Sequence, residues 1–248
     1  MPEPLSVAAA QPACEAYDVA ANARRHATAI RKAAARIVVF PEMSLTGYEP
    51  DAPTVSVDDP RLRPIVEACS EADAIALVGA PVADDSGRRY IGMLRVDASG
   101  AGVAYRKMWL GGAEAEHFTR GPEPAVLEVD GWRLGLGICR DTGIPRHAAD
   151  TAALGMDAYL AGVLEFEHDV HVIEERARRA AADHGVWVAI ASFAGSTDGY
   201  APAAGCSGIW APDGVAASRV GPEPGAIARA VLTRRGAERQ AEPAEVDR

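Results

Sequence analysis

The chain has 248 residues and a formal net charge of −10, and its residues are 48% hydrophobic and 24% charged. This composition excludes a disordered or fibrous protein, because it supplies enough apolar side chains to bury a large core. The excess of Asp and Glu over Lys and Arg disfavours nucleic acids and anionic membrane surfaces as partners. No run reaches the roughly 18 apolar residues of a membrane span, so no membrane partner is predicted.

The four cysteines stand singly, at Cys14, Cys69, Cys139 and Cys206. A disulfide framework or a structural zinc site would need closer, patterned spacing. The start of the chain, MPEPLSVAAAQP, lacks the basic residues and the long apolar run of a secretory signal peptide. These features predict a cytoplasmic protein in a reducing compartment.

Short apolar runs alternate with longer segments of helical period along the chain. The runs predicted as buried strands are residues 5–10, 36–40, 74–80, 91–96, 134–138, 158–161, 186–191 and 207–210. The segments predicted as helices are residues 17–35, 146–154 and 170–184. Segments rich in Pro or Gly, at residues 49–64, 119–124 and 221–225, are predicted as surface loops.

This alternation of strands and helices predicts an α/β fold, and strand pairs without an intervening helix indicate mixed sheets. No linker is long enough to divide the chain, so residues 1–232 are predicted to form a single domain. From about Thr233 the apolar period is lost, and residues 233–248 are predicted to be a flexible C-terminal tail.

Three polar residues stand where apolar runs end: Glu42 follows RIVVFP, Lys107 follows VAYR, and Cys139 follows LGLGI. Strands of an α/β sheet aim the residues at their ends into a common crevice. A Cys, a Glu and a Lys gathered there would supply a nucleophile, a base and a cation for a developing oxyanion, and the backbone N–H of Arg140 is a natural second donor. Each residue alone has a plainer interpretation, as a packed thiol, a loop carboxylate or a solvated charge.

Three segments surround these residues: VVFPEMSLTGYEP (38–50), YRKMWLGGAEAEHFTRG (105–121) and LGLGICRDTGIPRHAADTAALGMDAYLAG (134–162). They resemble, in this order, the signature blocks of the nitrilase-type carbon–nitrogen hydrolase superfamily. Two weaker matches, AAAQP near the N-terminus and GCSGIWAPDG at 205–214, extend the resemblance over residues 5–232. The resemblance implies a four-layer α-β-β-α sandwich with two mixed β-sheets, and it implies no cofactor.

By this resemblance Glu42 is the general base, Lys107 the transition-state stabiliser and Cys139 the nucleophile. Glu114, seven residues after Lys107, matches a second glutamate that positions the substrate and the lysine in many members. Glu116, two residues further on, is the alternative for that role.

The sequence also departs from the family pattern around the expected substrate pocket. Trp109 stands where members often have His, and Gly162 and Val163 begin a segment where many members have a proline-containing substrate loop. Together with Arg140 and Glu116, these residues are predicted to contribute to substrate binding. Members that cleave nitriles tend to have Trp directly after the nucleophile, so the arginine at this position favours an amide.

The sequence therefore predicts a hydrolase that cleaves a non-peptide carbon–nitrogen bond of a small amide or carbamoyl compound through a thioester on Cys139. A nitrile hydrolase with the same three residues is one alternative, and a catalytically silent binding protein is another. The resemblance also implies a homodimer or higher homo-oligomer that pairs across the helices after the nucleophile.

Two competing patterns are weaker. His168 and His171 do not have the His-Glu-x-x-His spacing of a metal site. Gly135 and Gly137 lack the third glycine of a dinucleotide-binding loop. Neither a metal nor a nucleotide cofactor is predicted.

Overall fold

The computed structural model of the protein describes residues 3–196 and 202–234. The strands in these ranges are β1 (Leu5–Gln11), β2 (Ile37–Val39), β3 (Ile75–Ala83), β4 (Arg89–Asp97), β5 (Gly100–Arg106), β6 (Ala125–Val129), β7 (Trp132–Ile138), β8 (Ala158–Val163), β9 (Trp187–Ser192), β10 (Ala194–Gly195), β11 (Ala203–Ala204), β12 (Gly208–Trp210), β13 (Ala216–Arg219) and β14 (Ala226–Leu232). The α-helices are α1 (Val19–Ala33), α2 (Arg63–Ala72), α3 (Arg140–Gly143), α4 (Pro145–Ala153) and α5 (Val170–His184).

Two six-stranded mixed sheets form the centre of the fold. The strand order is β14-β1-β2-β3-β4-β5 in the first sheet and β13-β12-β9-β8-β7-β6 in the second. Strands β1, β2 and β3 are parallel, as are β7, β8 and β9, while the outer strands pair antiparallel. The carboxyl ends of the central parallel strands therefore lie at one edge of each sheet.

Alternate residues of the strands point to opposite faces, and each face has its own core. Residues on the inner faces of both sheets pack together, among them Val39, Leu77, Leu136 and Leu160. The outer face of the first sheet packs on α1 and α2 through residues such as Val38, Val78, Ile30 and Ile65. The outer face of the second sheet packs on α4 and α5 through residues such as Tyr159, Ile190, Ala148 and Ile173. The fold is thus the predicted four-layer α-β-β-α sandwich.

Local sequence signals set the ends of the longer helices. The Asp18 side chain accepts a hydrogen bond from Ala21 N at the start of α1, and Arg31 and Lys32 lie in its last turn. Gly185 ends α5 in the left-handed conformation. None of the helices in the described ranges combines the length and the apolar composition that a membrane crossing requires.

Several elements were absent from the sequence-based prediction. Helix α2 begins inside the segment 49–64 that was predicted as a loop, with Pro64 in its first turn, so that prediction is wrong at residues 63–64. Strands β5, β6 and β14 are only partly buried, and a glycine or a charged residue interrupts the apolar residues in each of them. Strand β14 nevertheless pairs with β1 along its whole length, from Leu5 opposite Leu232 to Gln11 opposite Ala226.

The end of the described chain contacts the second sheet. The indole Nε1–H of Trp187 donates to the carbonyl of Thr233 at 2.9 Å. Arg234 contacts the carboxylate of Asp157 and the ring face of Trp132. The first two residues of the predicted tail are thus in contact with the sheet, and residues 235–248 lie outside the described residues.

The turn that carries Glu42 approaches the backbone of both sheets closely. A Cβ atom on Gly162 of β8 would lie 2.4 Å from the carbonyl oxygen of Phe40, and one on Gly79 of β3 would lie 2.3 Å from that of Pro41. Real Cβ atoms do not approach backbone oxygens so closely, so only glycine lets this turn lie between the two sheets. Gly162 therefore positions Glu42 through the backbone.

We expect Gly162→Ala to lower the free energy of unfolding by about 1–3 kcal/mol, because the new methyl group overlaps the backbone of the Glu42 turn. Urea denaturation followed by circular dichroism measures this change. Gly102→Ala in β5 is the matched control, since its methyl group would meet no atom within 4 Å. Equal stability of the two variants would contradict the proposed close packing.

Candidate active site

The ends of three strands place Glu42, Lys107 and Cys139 together. Glu42 follows β2 after a short turn, Lys107 comes directly after β5, and Cys139 comes directly after β7. The Lys107 ammonium donates a hydrogen bond to Glu42 Oε1 at 2.7 Å. Both side chains are at most 1% exposed to solvent. The structure thus brings the lysine and the glutamate into a buried ion pair between the sheets.

Glu114 is the second carboxylate at this lysine. Its Oε1 accepts a hydrogen bond from Lys107 Nζ at 2.7 Å and another from the Tyr48 hydroxyl at 3.2 Å. Its Oε2 accepts from the backbone N–H of Gly111 at 2.7 Å. Glu116, by contrast, is exposed to solvent at the end of the same short turn. Of the two candidates, Glu114 therefore lies in the site.

Cys139 has an unusual backbone conformation, with φ +43° and ψ −104°. Such a conformation costs a residue with a side chain about 1–3 kcal/mol and persists only where its surroundings hold it. Here the Cys139 N–H donates to Gly162 O at 3.0 Å, and the Thr142 hydroxyl donates to the Cys139 carbonyl at 2.7 Å. The Cys139 thiol is half-buried and donates to Leu164 O at 3.5 Å. The tight turn thus fixes the direction of the sulfur.

Burial and the neighbouring charges shift the pKa values of the thiol and the carboxylate. Burial raises the pKa of Glu42 to about 7, against the opposing charge of Lys107, and the charge of Glu114 also raises it. Burial, followed by the negative charge of Glu42, raises the pKa of the Cys139 thiol well above its usual range. The thiol is therefore protonated at neutral pH, beside a carboxylate that can accept its proton.

Lys107 remains charged in this environment. Burial alone would lower the pKa of its ammonium, but the nearby acidic groups Glu42, Cys139 and Glu114 outweigh that effect and raise it. Glu42 Oε2 is buried, and among the described residues it has no partner that meets hydrogen-bond geometry. The site thus combines a protonated thiol, a carboxylate oxygen open to a proton and a permanent positive charge.

Asp141 organises the site although its side chain was not predicted to take part. It is fully buried, and its Oδ2 accepts hydrogen bonds from Ile138 N at 3.0 Å and from the Tyr105 hydroxyl at 2.8 Å. Its Oδ1 accepts from Trp109 N at 2.9 Å. One carboxylate thereby ties the strand that precedes Cys139 to the segment that follows Lys107. The only sequence signal was the position of this Asp, two residues after the cysteine.

A buried histidine continues this network. The Tyr105 hydroxyl lies 2.8 Å from His147 Nε2, and the Tyr159 hydroxyl lies 2.9 Å from His147 Nδ1. Since Tyr105 donates its proton to Asp141, it accepts one from Nε2, and Nδ1 then accepts from Tyr159. Burial lowers the pKa of His147, in opposition to the charge of Asp141, which is consistent with this neutral form.

The other residues predicted to bind substrate lie in different environments. Trp109 is half-buried, and its indole Nε1 is buried without a hydrogen-bond partner among the described residues. The side chain of Val163 is buried, Gly162 is enclosed against the Glu42 turn, and Arg140 is exposed at the start of α3. The structure therefore does not gather these four residues as it gathers Glu42, Lys107 and Cys139.

An apolar cluster lies beside the thiol. It was not predicted, and its members come from four separate parts of the chain. They are Leu164, Phe193 and Ala203, with Cys14, Tyr48 and Phe166 packed against them. Leu164 accepts the Cys139 hydrogen bond and Tyr48 bonds to Glu114, so the cluster adjoins the reactive groups. Within residues 3–196 and 202–234, no group of three or more His, Cys, Asp or Glu side chains is arranged to hold a metal ion.

Comparison with known proteins identifies the family. Residues 6–239 match the carbon-nitrogen hydrolase family, so the chain belongs to that family. A protein of Pseudomonas protegens, described as "Hydrolase in pqqF 5'region", is 31% identical over 206 residues, which are 79% of this chain and 72% of that protein. An (R)-stereoselective amidase of a Pseudomonas species is 29% identical over 149 residues, and the match spans 58% of this chain and 54% of the amidase.

Solved structures support the same fold. The crystal structure of Saccharomyces cerevisiae Nit3, a member of the nitrilase superfamily, superposes with a TM-score of 0.83 over 93% of this chain and 90% of Nit3, at 23% identity. The expected superfamily and its layered fold are thereby confirmed, and the chain is a hydrolase of the carbon–nitrogen class.

We expect Asp141→Ala to lower the free energy of unfolding by about 1–3 kcal/mol, because it leaves the buried Ile138 and Trp109 N–H groups without an acceptor. Urea denaturation gives the change in stability. Asp150→Ala is the matched control, since Asp150 is exposed and makes only a surface contact with Arg146. A loss no greater than that of the control would exclude a structural role for Asp141.

Proposed function

We propose that the protein is a cysteine-dependent amidase that hydrolyses a small, non-peptide amide or carbamoyl compound. The observation that carries this proposal is the Lys107 ammonium, 2.7 Å from both Glu42 and Glu114 and close enough to Cys139 to affect the thiol's pKa. Burying one cation with two carboxylates costs free energy unless the charges are well paired. Catalysis at the neighbouring Cys139 thiol accounts for keeping these three charges together.

In the first half of the reaction, Glu42 accepts the Cys139 proton while the sulfur attacks the amide carbonyl carbon. The carbonyl oxygen becomes an oxyanion, which the Lys107 ammonium and the Arg140 backbone N–H stabilise. Glu42 then returns the proton to the amide nitrogen, the carbon–nitrogen bond breaks, and ammonia or an amine leaves. The acyl group remains on sulfur as a thioester.

In the second half, Glu42 accepts a proton from a water molecule that attacks the thioester carbon. A second oxyanion forms at the same two donors. When it collapses, the carbon–sulfur bond breaks, the carboxylic acid leaves, and the proton returns from Glu42 to the Cys139 sulfur. Glu114 holds Lys107 in place in both halves.

Two observations support an amide as the substrate. One of the relatives is an (R)-stereoselective amidase, and the residue after Cys139 is Arg140 rather than the tryptophan expected of nitrile-cleaving members.

Helices α4 and α5 cover the outer face of the second sheet, and α5 exposes charges of both signs, such as Glu175 and Arg178. The proposal includes a cytoplasmic homodimer or higher homo-oligomer that pairs across these helices.

The covalent step is tested with a panel of short amides and the corresponding nitriles. We expect the wild-type protein to release ammonia from amides and to gain the mass of the acyl group, because the thioester forms on Cys139. Cys139→Ala should abolish both signals, as should Cys139→Ser, while Cys206→Ala, another half-buried cysteine, should leave both unchanged. Intact-mass spectrometry and an ammonia assay give the two readouts.

Three results would contradict this function. Ammonia release at the wild-type rate by Cys139→Ala would exclude the nucleophile. Turnover of nitriles but not of amides would favour a nitrile hydrolase. Slow, equal iodoacetamide labelling of all four cysteines, without any turnover, would favour a binding protein.

The pH dependence tests Glu42 as the base. Glu42 must be ionised to accept a proton, so kcat/KM is expected to fall as the pH falls through the Glu42 pKa of about 7. The charge of Glu114 contributes to raising this pKa, so Glu114→Gln should move the acidic limb to lower pH. Glu116→Gln, an exposed control, should leave the limb in place. A limb at the ordinary carboxyl value of 4.5 in the wild-type protein would exclude this assignment.

A further inference from the structure

A fourth carboxylate, Glu165, stands at the edge of the candidate site. It directly follows Leu164, whose carbonyl accepts the hydrogen bond of the Cys139 thiol. Its own carbonyl accepts a hydrogen bond from Ala204 N at 2.8 Å, so the backbone is fixed on both sides of its side chain. The side chain is 14% exposed, so the protein does not enclose it completely.

Arg176 of α5 holds this carboxylate. Its Nη1 donates to Oε1 of Glu165. The guanidinium lies over Gly143, where a Cβ atom would be 3.0 Å from Arg176 Nε, so the absence of a side chain at Gly143 makes room for it. Within the described residues, Oε2 of Glu165 accepts no hydrogen bond. One oxygen of the carboxylate is therefore anchored, and the other is available to a further donor.

The charge of Glu165 reaches the reacting groups. The pKa of the Cys139 thiol is raised first by burial, then by Glu42, and also by Glu165. In turn, burial raises the pKa of Glu165, while Arg176 and the more distant Lys107 lower it. The charges of Glu42 and Glu165 thus act on the sulfur in the direction opposite to that of Lys107, and Glu165 adds negative charge at the thiol.

We infer that Glu165 determines specificity: its free oxygen receives a positively charged amino group on the acyl part of the substrate, and its charge disfavours an acyl part that bears a carboxylate. The substrate class is then an amide with an ammonium group a few bonds from the scissile carbonyl. The assignment of this substrate class rests on the proposed amidase function, whereas the preference of the site for cationic over anionic molecules does not.

The charge preference is tested with two thiol reagents of similar size and opposite charge, 2-aminoethyl and 2-sulfonatoethyl methanethiosulfonate. Each forms a disulfide with the Cys139 sulfur and releases methanesulfinate, so no amide turnover is required. We expect the rate ratio of the cationic to the anionic reagent at Cys139, followed by peptide mass spectrometry, to fall about tenfold in Glu165→Gln. Glu165→Asp retains the charge and should keep most of the preference.

Glu167→Gln is the matched control, because Glu167 lies two residues away and is exposed. An unchanged ratio in Glu165→Gln, or an equal fall in Glu167→Gln, would overturn the inference. Circular dichroism and the urea midpoint check that the variants are folded, and Glu165→Asp separates loss of charge from loss of packing.

A second experiment compares the hydrolysis of three amides: β-alaninamide, its neutral isostere butyramide and the anionic succinamate. In the wild-type protein kcat/KM should be highest for β-alaninamide and lowest for succinamate, and Glu165→Gln should reduce this spread about tenfold. Hydrolysis of all three with a spread that does not depend on Glu165 would overturn the inference and leave the amidase function intact. A reagent preference that depends on Glu165, without hydrolysis of any amide, would support the inference and contradict the amidase function.

Discussion

The arrangement of the site depends on one buried cation shared by two carboxylates. An isolated charge in the protein interior is very costly, and removal of one partner from such a group leaves another charge uncompensated. Lys107, Glu42 and Glu114 must therefore be held together, although they come from separate segments of the chain. Close packing of Gly162 and Gly79 on the Glu42 turn holds one carboxylate in place, and the hydrogen bond from the Gly111 N–H holds Glu114. Because burial, together with the charge of Glu114, raises the pKa of Glu42 against the charge of Lys107, Glu42 retains the affinity for a proton that a base needs.

The nucleophile is positioned by a second, largely separate set of contacts. The strained backbone of Cys139 is fixed by Gly162 and Thr142, and Asp141 connects this turn to the segment after Lys107. The network through Tyr105 and Tyr159 pairs both ring nitrogens of the buried His147. The ends of the strands thus place the candidate catalytic residues approximately, and buried hydrogen bonds fix their final geometry.

The apolar runs were sufficient to predict an α/β fold with mixed sheets and to place Glu42, Lys107 and Cys139 at strand ends. The four-layer arrangement and the meeting of these three residues were predicted from the resemblance of the surrounding segments to the nitrilase-type superfamily. The sequence did not predict the side-chain roles that depend on contacts between distant segments of the chain. The donors to the Asp141 carboxylate are backbone N–H groups from two distant segments, and the guanidinium of Arg176, which contacts Glu165, lies close over Gly143. Strand β14 was not predicted although its sequence, AIARAVL, is mostly apolar, and the structure shows that it pairs with β1 along its whole length.

The pairing of β1 with β14 has a consequence for how the protein is made. These two strands are separated by more than 200 positions yet lie side by side, so β1 is synthesised long before its partner β14. Until residue 232 has emerged, β1 has an unpaired edge, and such edges are templates for pairing with other chains. Completion of the first sheet thus requires residues 226–232, and a chain truncated before them would leave this edge of β1 unpaired and would be prone to aggregate.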